Sequence, residues 1–370
     1  MDKINRRVQR DITKDISVPE TRDGGSHWLK QFSDCLNPQP VDTAKFTLEN
    51  AVFCTYSTMR LRVFNKRKSR QGPATLIVAP VAVQDAGFTD LMSGHSLIEL
   101  LCETAPGPIY LTDWFSATPE MRYFSIDTYL ADLNVAIDDI GGAVDCVGLC
   151  QGGWLALLHA ARFPQKIRRL VLAGTPVDTS VKSSPMSRHA LTLVQGHDEL
   201  PGDCVINAGQ WLARLGTTQG FERAAMDSLQ RNPGSFTKAD MRAVSRYEDW
   251  ARRSIDLPGR YCREMLSGLF AGNRIAQGTC TALGRVIDLK TVRIPLFVLC
   301  GAFDEITPKE QALAVHNLVG TAKGRMRSLV APCGHFALFV GAGTLSREWR
   351  TIASWLSSKA PLAKNRALKG

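Results

Sequence analysis

The chain lacks any apolar run approaching the roughly 18 to 20 residues that a membrane-crossing helix needs, which argues against a transmembrane segment. It opens with MDKINRRVQRDITKD, charged and with no apolar segment behind it, which argues against a secretory leader. Its ten cysteines show no disulfide-framework spacing, and Cys146 and Cys300 lie inside apolar runs. Reduced thiols and a cytoplasmic setting are therefore expected. No G-x-x-x-x-G-K-[ST] loop and no metal-ligand pattern is present, so neither a cofactor nor a metal is expected. The formal charge is +10, yet no nucleic-acid-binding motif accompanies it, which argues against DNA or RNA as partner. The basic residues fall in scattered clusters, at Arg6, Arg7 and Arg10, at Lys66 to Arg70, at Lys166 to Arg169 and at Lys359 to Lys369. They read first as solvated surface, and more sharply as contacts for an anionic ligand or granule surface.

What the sequence does contain is a soluble-protein complement of 370 residues, 44% of them hydrophobic. MRLRVFN alternates at period two, as a half-buried strand does, and the basic KRKSRQGP after it reads as a turn. ATLIVAP, PIYLTDW, VDCVGLC, IRRLVLA and PLFVLCG are apolar runs of buried-strand character. Between them, LMSGHSLIELLCET, GGWLALLHAARFP and KEQALAVHNLVG read as helices. SIDTYLADLNVAIDDIG predicts another, capped by Ser125, with Ile126, Tyr129, Leu130, Leu133 and Ile137 on one face and a stop at Gly141. RMRSLVAPCGH and REWRTIASWLSS close the pattern as strand and helix. Strands alternating with helices predict an α/β fold with a doubly wound, mostly parallel sheet. The alternation stops between GTPVD and IPLFVLC, where turns separate helical runs and no strand is evident. The expected organisation is a mobile arm at 1–45, a core at 46–180 and 291–357, a helical cap at 181–290 and a basic tail at 358–370.

One turn carries the chemistry. GLCQG, Gly148 to Gly152, follows a strand directly and opens a helix. This is the G-x-[nucleophile]-x-G elbow of the α/β-hydrolase fold, with Cys150 where serine is usual. The start of a helix favours a thiolate. The elbow order is nucleophile, acid, histidine. Asp304 in FVLCGAFDE and His335 in LVAPCGHF fall after late strands, where the other two members belong. Glu305 is the adjacent competitor for the acid. His159 reads as a packed or partly exposed histidine and His95 as a surface or capping residue. The backbone amide of Gln151 and one from Val81 or Ala82 are the expected oxyanion donors, since Pro80 has none to give.

These stretches resemble the polyhydroxyalkanoate enzymes that use a cysteine nucleophile. FCTYSTMRLRVF, LIVAPVA, IYLTDW, FSIDTYLADL, GTPVD, YEDWARRSIDLPGRYCREML and GHFALFVG resemble, in order, segments of the intracellular poly(3-hydroxybutyrate) depolymerases, from about residue 50 to 357. GLCQGG instead is similar to the turn of the related synthases. The resemblance implies a Cys150–His335–Asp304 triad and an ester hydrolase acting on intracellular polymer or its oligomers. The alternative it leaves open is a synthase-like acyltransferase using 3-hydroxyacyl-CoA. A general ester or thioester hydrolase and a non-catalytic granule-binding protein remain further readings. Implied partners are the polymer or its granule surface, CoA as acyl acceptor or donor, and a second copy of the chain in a homo-oligomer.

Overall fold

A computed structural model describes residues 44–64, 72–82, 84–195, 202–207 and 238–358. The expected arm (all but its last residues), the KRKSRQGP turn (all but its last two residues), nearly all of the basic tail, and Trp211, Phe221 and Phe236 of the expected cap lie outside the described residues.

Eight strands form one sheet: β1 (Ala51–Thr55), β2 (Met59–Phe64), β3 (Thr75–Val78), β4 (Ile109–Trp114), β5 (Val144–Leu149), β6 (Ile167–Ala173), β7 (Leu296–Gly301) and β8 (Met326–Ala331). Their order across the sheet is β1-β2-β4-β3-β5-β6-β7-β8. β2 is antiparallel to both its neighbours, and every pairing from β4 to β8 is parallel. Every residue of β4, β5 and β7 is buried, because helices cover both faces of the sheet. The edge strands β1 and β8 are more exposed.

Helix α1 (Leu97–Thr104) is shorter than LMSGHSLIELLCET suggests. The segment first makes a small antiparallel ladder, Asp90–Met92 with His95–Ser96, and Ser96 rather than His95 caps the helix. The ladder forms because Gly94 takes a left-handed φ of 81° at its turn. Helix α2 (Ile126–Asp139) follows its pattern closely. Ser125 and Thr128 form a capping box, the five expected apolar positions are buried, and Gly141 turns the chain at φ 100°. Helix α3 (Gly152–Arg162) runs from the elbow behind β5.

Between β6 and β7 lie α4 (Pro185–Gln195), α5 (Lys238–Ala251), α6 (Gly259–Glu264) and a π-helical turn, Met265–Ala271. Two short ladders also occur here, Val205–Ile206 with Leu257–Pro258 and Thr281–Ala282 with Arg285–Val286, where no strand was expected. Two-residue pairings are too short to show a period-two pattern in sequence. Glu264 accepts a hydrogen bond from the Ile126 amide at 2.9 Å, which ties this segment to the start of α2. After β7, KEQALAVHNLVG divides into α7 (Lys309–Leu313) and a second turn, Val315–Leu318, rather than one helix. Helix α8 (Ala337–Val340) follows His335, and α9 (Arg350–Ser357) ends the described chain. Arg169 closes the carboxyl end of α9 by donating to the carbonyls of Trp355 at 2.6 Å, Leu356 and Ser358.

One buried charge works against the fold. Asp145, near the start of β5, is fully buried, with both carboxylate oxygens lacking hydrogen-bond partners. Burial pushes its pKa up to about 6, although Arg168, 3.8 Å away, and Arg169 pull the other way. A raised folded value penalises the ionised form, so the cost is absent below the unfolded value near 4 and complete above about 6. Asp145→Asn is therefore expected to stabilise the protein at pH 7 to 8, by on the order of 2 kcal/mol, and to flatten its stability between pH 4 and 6. Urea unfolding across that range measures this, and a variant less stable than the parent at pH 7 would contradict it.

Candidate active site

The site lies at the carboxyl edge of the sheet, where the loops after β3, β5, β7 and β8 converge. Cys150 stands at the turn from β5 to α3 with φ at 49°, a left-handed value that costs a non-glycine residue strain. The cost is met by packing that only glycines allow. A Cβ on Gly152 would fall 2.2 Å from the Val78 carbonyl oxygen, one on Gly153 would fall 1.9 Å from Thr175 Oγ1, and one on Gly148 would fall 2.5 Å from Gly153 Cα. The helix start is thereby pressed between the end of β3 and the loop after β6. The Cys150 amide donates to the Ala173 carbonyl at 2.8 Å, so it is committed to the fold. The Gln151 amide, at the N-cap of α3, remains the expected oxyanion donor of this turn.

His335 and Asp304 come together as the sequence predicts. His335 Nδ1 lies 2.7 Å from Asp304 Oδ2, with both side chains buried. The other carboxylate oxygen, Oδ1, accepts from the amides of Ile306 at 2.9 Å and Thr307 at 2.7 Å, which fixes the carboxylate plane. Glu305, the adjacent competitor, is exposed, whereas Asp304 is buried. Cys150 also bears electrostatically on His335. Burial alone would push the imidazole pKa down; the Asp304 carboxylate and the Cys150 thiolate outweigh it and hold His335 well above the usual histidine value. A Cβ on Gly174 would fall 3.0 Å from His335 Cε1, so the loop after β6 also touches the ring.

The surroundings are aromatic. Phe336 and Phe339 meet the His335 ring edge to face at 5.7 and 5.3 Å. Tyr247 and Trp250 of α5 pack on Phe336, and Phe270 of the π-turn packs on Trp154 of α3 at 4.8 Å. Tyr261 of α6 is buried, and burial, with Tyr129 next, pushes its phenol pKa well up. Such a low-dielectric wall strengthens every charge interaction inside it.

The loop of the second expected oxyanion donors starts against the elbow, where a Cβ on Gly152 would fall 2.6 Å from the Ala79 carbonyl oxygen. Ala79 is pinned by Thr112 Oγ1, which accepts from its amide at 3.0 Å, and by the Trp114 indole, which donates to its carbonyl at 2.8 Å. Two residues on, Val81 is buried, and Ala82 is half-buried. His159 is fully buried, contacts Asn134 at 3.3 Å and has its pKa pushed down to about 3 by burial, so it is a packed neutral residue. His95 is a correction to the surface reading. It is 6% exposed, and its Nδ1 meets the Val340 carbonyl of α8 at 2.8 Å, which holds the helix that follows His335. Sequence reasoning also missed Thr175, whose buried hydroxyl abuts Gly153 and has no hydrogen-bond partner among the described residues. Among the described residues no cluster of three or more metal-ligating side chains occurs, and no helix is long and apolar enough to cross a membrane.

A cysteine at a strained strand–helix turn, with a buried aspartate–histidine pair after the last two strands of a mostly parallel eight-stranded sheet, defines an enzyme of the α/β-hydrolase fold. Solved structures agree on the fold. A monoacylglycerol lipase from Paleococcus ferrophilus is 18% identical, with a TM-score of 0.55, over 81% of this chain and 98% of its own. An enol-lactonase from Burkholderia xenovorans is 13% identical, with a TM-score of 0.51, over 84% and 100%. Residues 139–363 match the family described as "Protein of unknown function (DUF3141)", and the chain belongs to that family. Among curated relatives, the poly(3-hydroxyalkanoate) polymerase subunit PhaC of Allochromatium vinosum is 23% identical over 94% of this chain and 99% of its own length. The protein of the same name from Synechocystis is 25% identical over 78% of each.

Proposed function

We propose that the chain is a cysteine acyltransferase of polyhydroxyalkanoate-synthase type, which loads 3-hydroxyacyl groups from CoA thioesters onto Cys150 and passes them to a hydroxyl. The observation that carries the reading is Cys150 at a strained strand–helix elbow, with the buried His335–Asp304 pair in the loops after the last two strands. The relatives named above are polymerase subunits, which supports polymer building over the cleavage that the sequence stretches suggest.

The residues divide the work in two half-reactions. The Cys150 thiolate attacks the thioester carbonyl, and the amides of Gln151 and of Val81 or Ala82 receive the developing oxyanion. The intermediate collapses to an acyl-enzyme, and the proton held by His335 goes to the departing CoA sulfur. Neutral His335 then takes the proton of an incoming hydroxyl as that oxygen attacks the acyl-enzyme. The new ester leaves, and Cys150 and His335 return to their charged forms. Asp304 keeps the imidazole oriented and stabilises its cationic form throughout. A thiolate suits this cycle because entering and leaving groups of the first half are both thiols. In the same reading, the described residues between 181 and 290 act as a cap whose buried aromatics Tyr247, Trp250, Tyr261 and Phe270 wall the site and keep water from the acyl-enzyme.

Incubation with 3-hydroxybutyryl-CoA tests the direction. The expected result is release of free CoA together with ester-linked product. Amorphous poly(3-hydroxybutyrate) granules, with and without CoA, are expected to yield little soluble product. Rapid release of hydroxyacid or hydroxyacyl-CoA from granules, without ester formation from the thioester, would replace this reading with the depolymerase one.

A further inference from the structure

The loop that carries Val81 and Ala82 is held from outside the core. Asp85, a few residues further on, is 2% exposed. Its Oδ1 accepts from the Gly87 amide at 2.7 Å, and its Oδ2 faces Arg253 Nε at 3.1 Å, as a charge contact rather than an aligned hydrogen bond. Its main-chain carbonyl accepts from the Trp250 indole at 2.9 Å. A Cβ on Gly87 would fall 3.0 Å from Arg253 Nη2, so the guanidinium lies close against the turn. Phe88 completes the contact: its ring is 5.5 Å from Trp250 and 5.7 Å from Phe339, the residue that packs on His335. One end of α5 therefore touches the β3 loop and the histidine loop together.

Burying this ion pair is costly. Burial raises the Asp85 pKa, and Asp113 adds to the rise, while Arg253 and the Gly87 amide oppose it. A buried pair of this kind contributes little net stability over an apolar replacement. Its use is geometric, since a charge contact and an indole hydrogen bond on one residue leave the loop a single position. We propose that Arg253 and Trp250 are positioning residues that set the Val81 and Ala82 amides against Cys150, so that the cap segment completes the oxyanion site. The proposal rests on the acyl-transfer reading of Cys150.

The test separates the oxyanion site from the nucleophile. Acylation by 3-hydroxybutyryl-CoA passes through an oxyanion; alkylation of a thiolate by iodoacetamide does not. Both rates are measured at Cys150, by the burst of free CoA and by mass spectrometry of the alkylated peptide, for the full chain and for Arg253→Ala, Arg253→Lys and Trp250→Phe. Losing one oxyanion donor costs about a hundredfold or more in a well-studied serine enzyme. Misplacing one in Arg253→Ala is expected to slow acylation by at least about tenfold, with alkylation within about twofold of the parent. Trp250→Phe, which keeps the ring but not the indole donor, is expected to slow acylation in the same selective way. Arg253→Lys keeps the charge and is expected to regain most of the rate. Unchanged acylation in Arg253→Ala overturns the proposal, as does an equal fall in both rates, which marks general damage at Cys150. A parent protein that alkylates but never releases CoA sinks the acyl-transfer reading itself, a result distinct from either.

Discussion

Cys150→Ala is expected to abolish thioester turnover and leave the fold intact. Removing the nucleophile of an elbow-type or protease triad costs on the order of a million-fold in rate, and no neighbouring thiol can stand in. Cys146 lies inside β5, fully buried, with its thiol pushed up to about 12 by burial. Cys300 is pushed up to about 12 and Cys333, in the histidine loop, to about 11, again chiefly by burial. These thiols stay protonated near neutrality and are poor nucleophiles. Alanine loses no packing that holds the elbow, because the elbow is fixed by Gly148, Gly152 and Gly153 against fixed neighbours. Circular dichroism and the melting temperature should match the parent. Cys150→Ser is expected to keep a small fraction of activity, since a hydroxyl needs full general-base help where a thiolate needs little. An alanine variant with near-parent rates would mean that the nucleophile lies elsewhere.

Asp304→Asn is expected to lower kcat by up to about ten-thousand-fold, the cost of the same change in a serine protease. The amide would turn its NH2 toward His335 Nδ1, because Oδ1 already receives the Ile306 and Thr307 amides. That presents a donor to a donor and selects the wrong imidazole tautomer. The change also removes a pH-dependent stability term. His335 is held above its ordinary pKa, so its ion pair with Asp304 stabilises fully below the unfolded value near 6.5. That contribution fades as the pH climbs through the raised folded value. In Asp304→Asn the slope on the alkaline side should shrink, leaving only what Cys150 contributes. Glu305→Gln, on an exposed side chain, is expected to change neither rate nor slope. Reversal of the two effects would shift the acid by one residue.

The elbow and its partners were legible because their chemistry is local. GLCQG places Cys150 between a strand and a helix, and Asp304 and His335 each follow an apolar run directly. Helix α2 was legible for the same reason: cap, apolar face and terminal glycine all lie within one short stretch. The misreadings arose where tertiary contacts override short patterns. LMSGHSLIELLCET carries enough apolar residues for one helix, yet its first part pairs as a ladder and its histidine is drawn in by the carbonyl of Val340. The contacts between Asp85, Trp250 and Arg253 join residues about 165 positions apart, and nothing in local sequence marks them. The glycine pair of GLCQGG is similar to the synthase turn, and in the structure Gly152 and Gly153 answer to the Val78 carbonyl and to Thr175, so the pair also reports how tightly the turn is packed.

Capture of the acyl-enzyme tests the central claim most directly. The protein is mixed with 3-hydroxybutyryl-CoA, quenched in acid within the first turnover, digested and analysed by mass spectrometry. The account predicts a 3-hydroxybutyryl thioester on the peptide that contains Cys150, absent from Cys150→Ala and accumulating in step with released CoA. Turnover that proceeds while Cys150 stays unmodified, or an acyl group found on another residue, would contradict it.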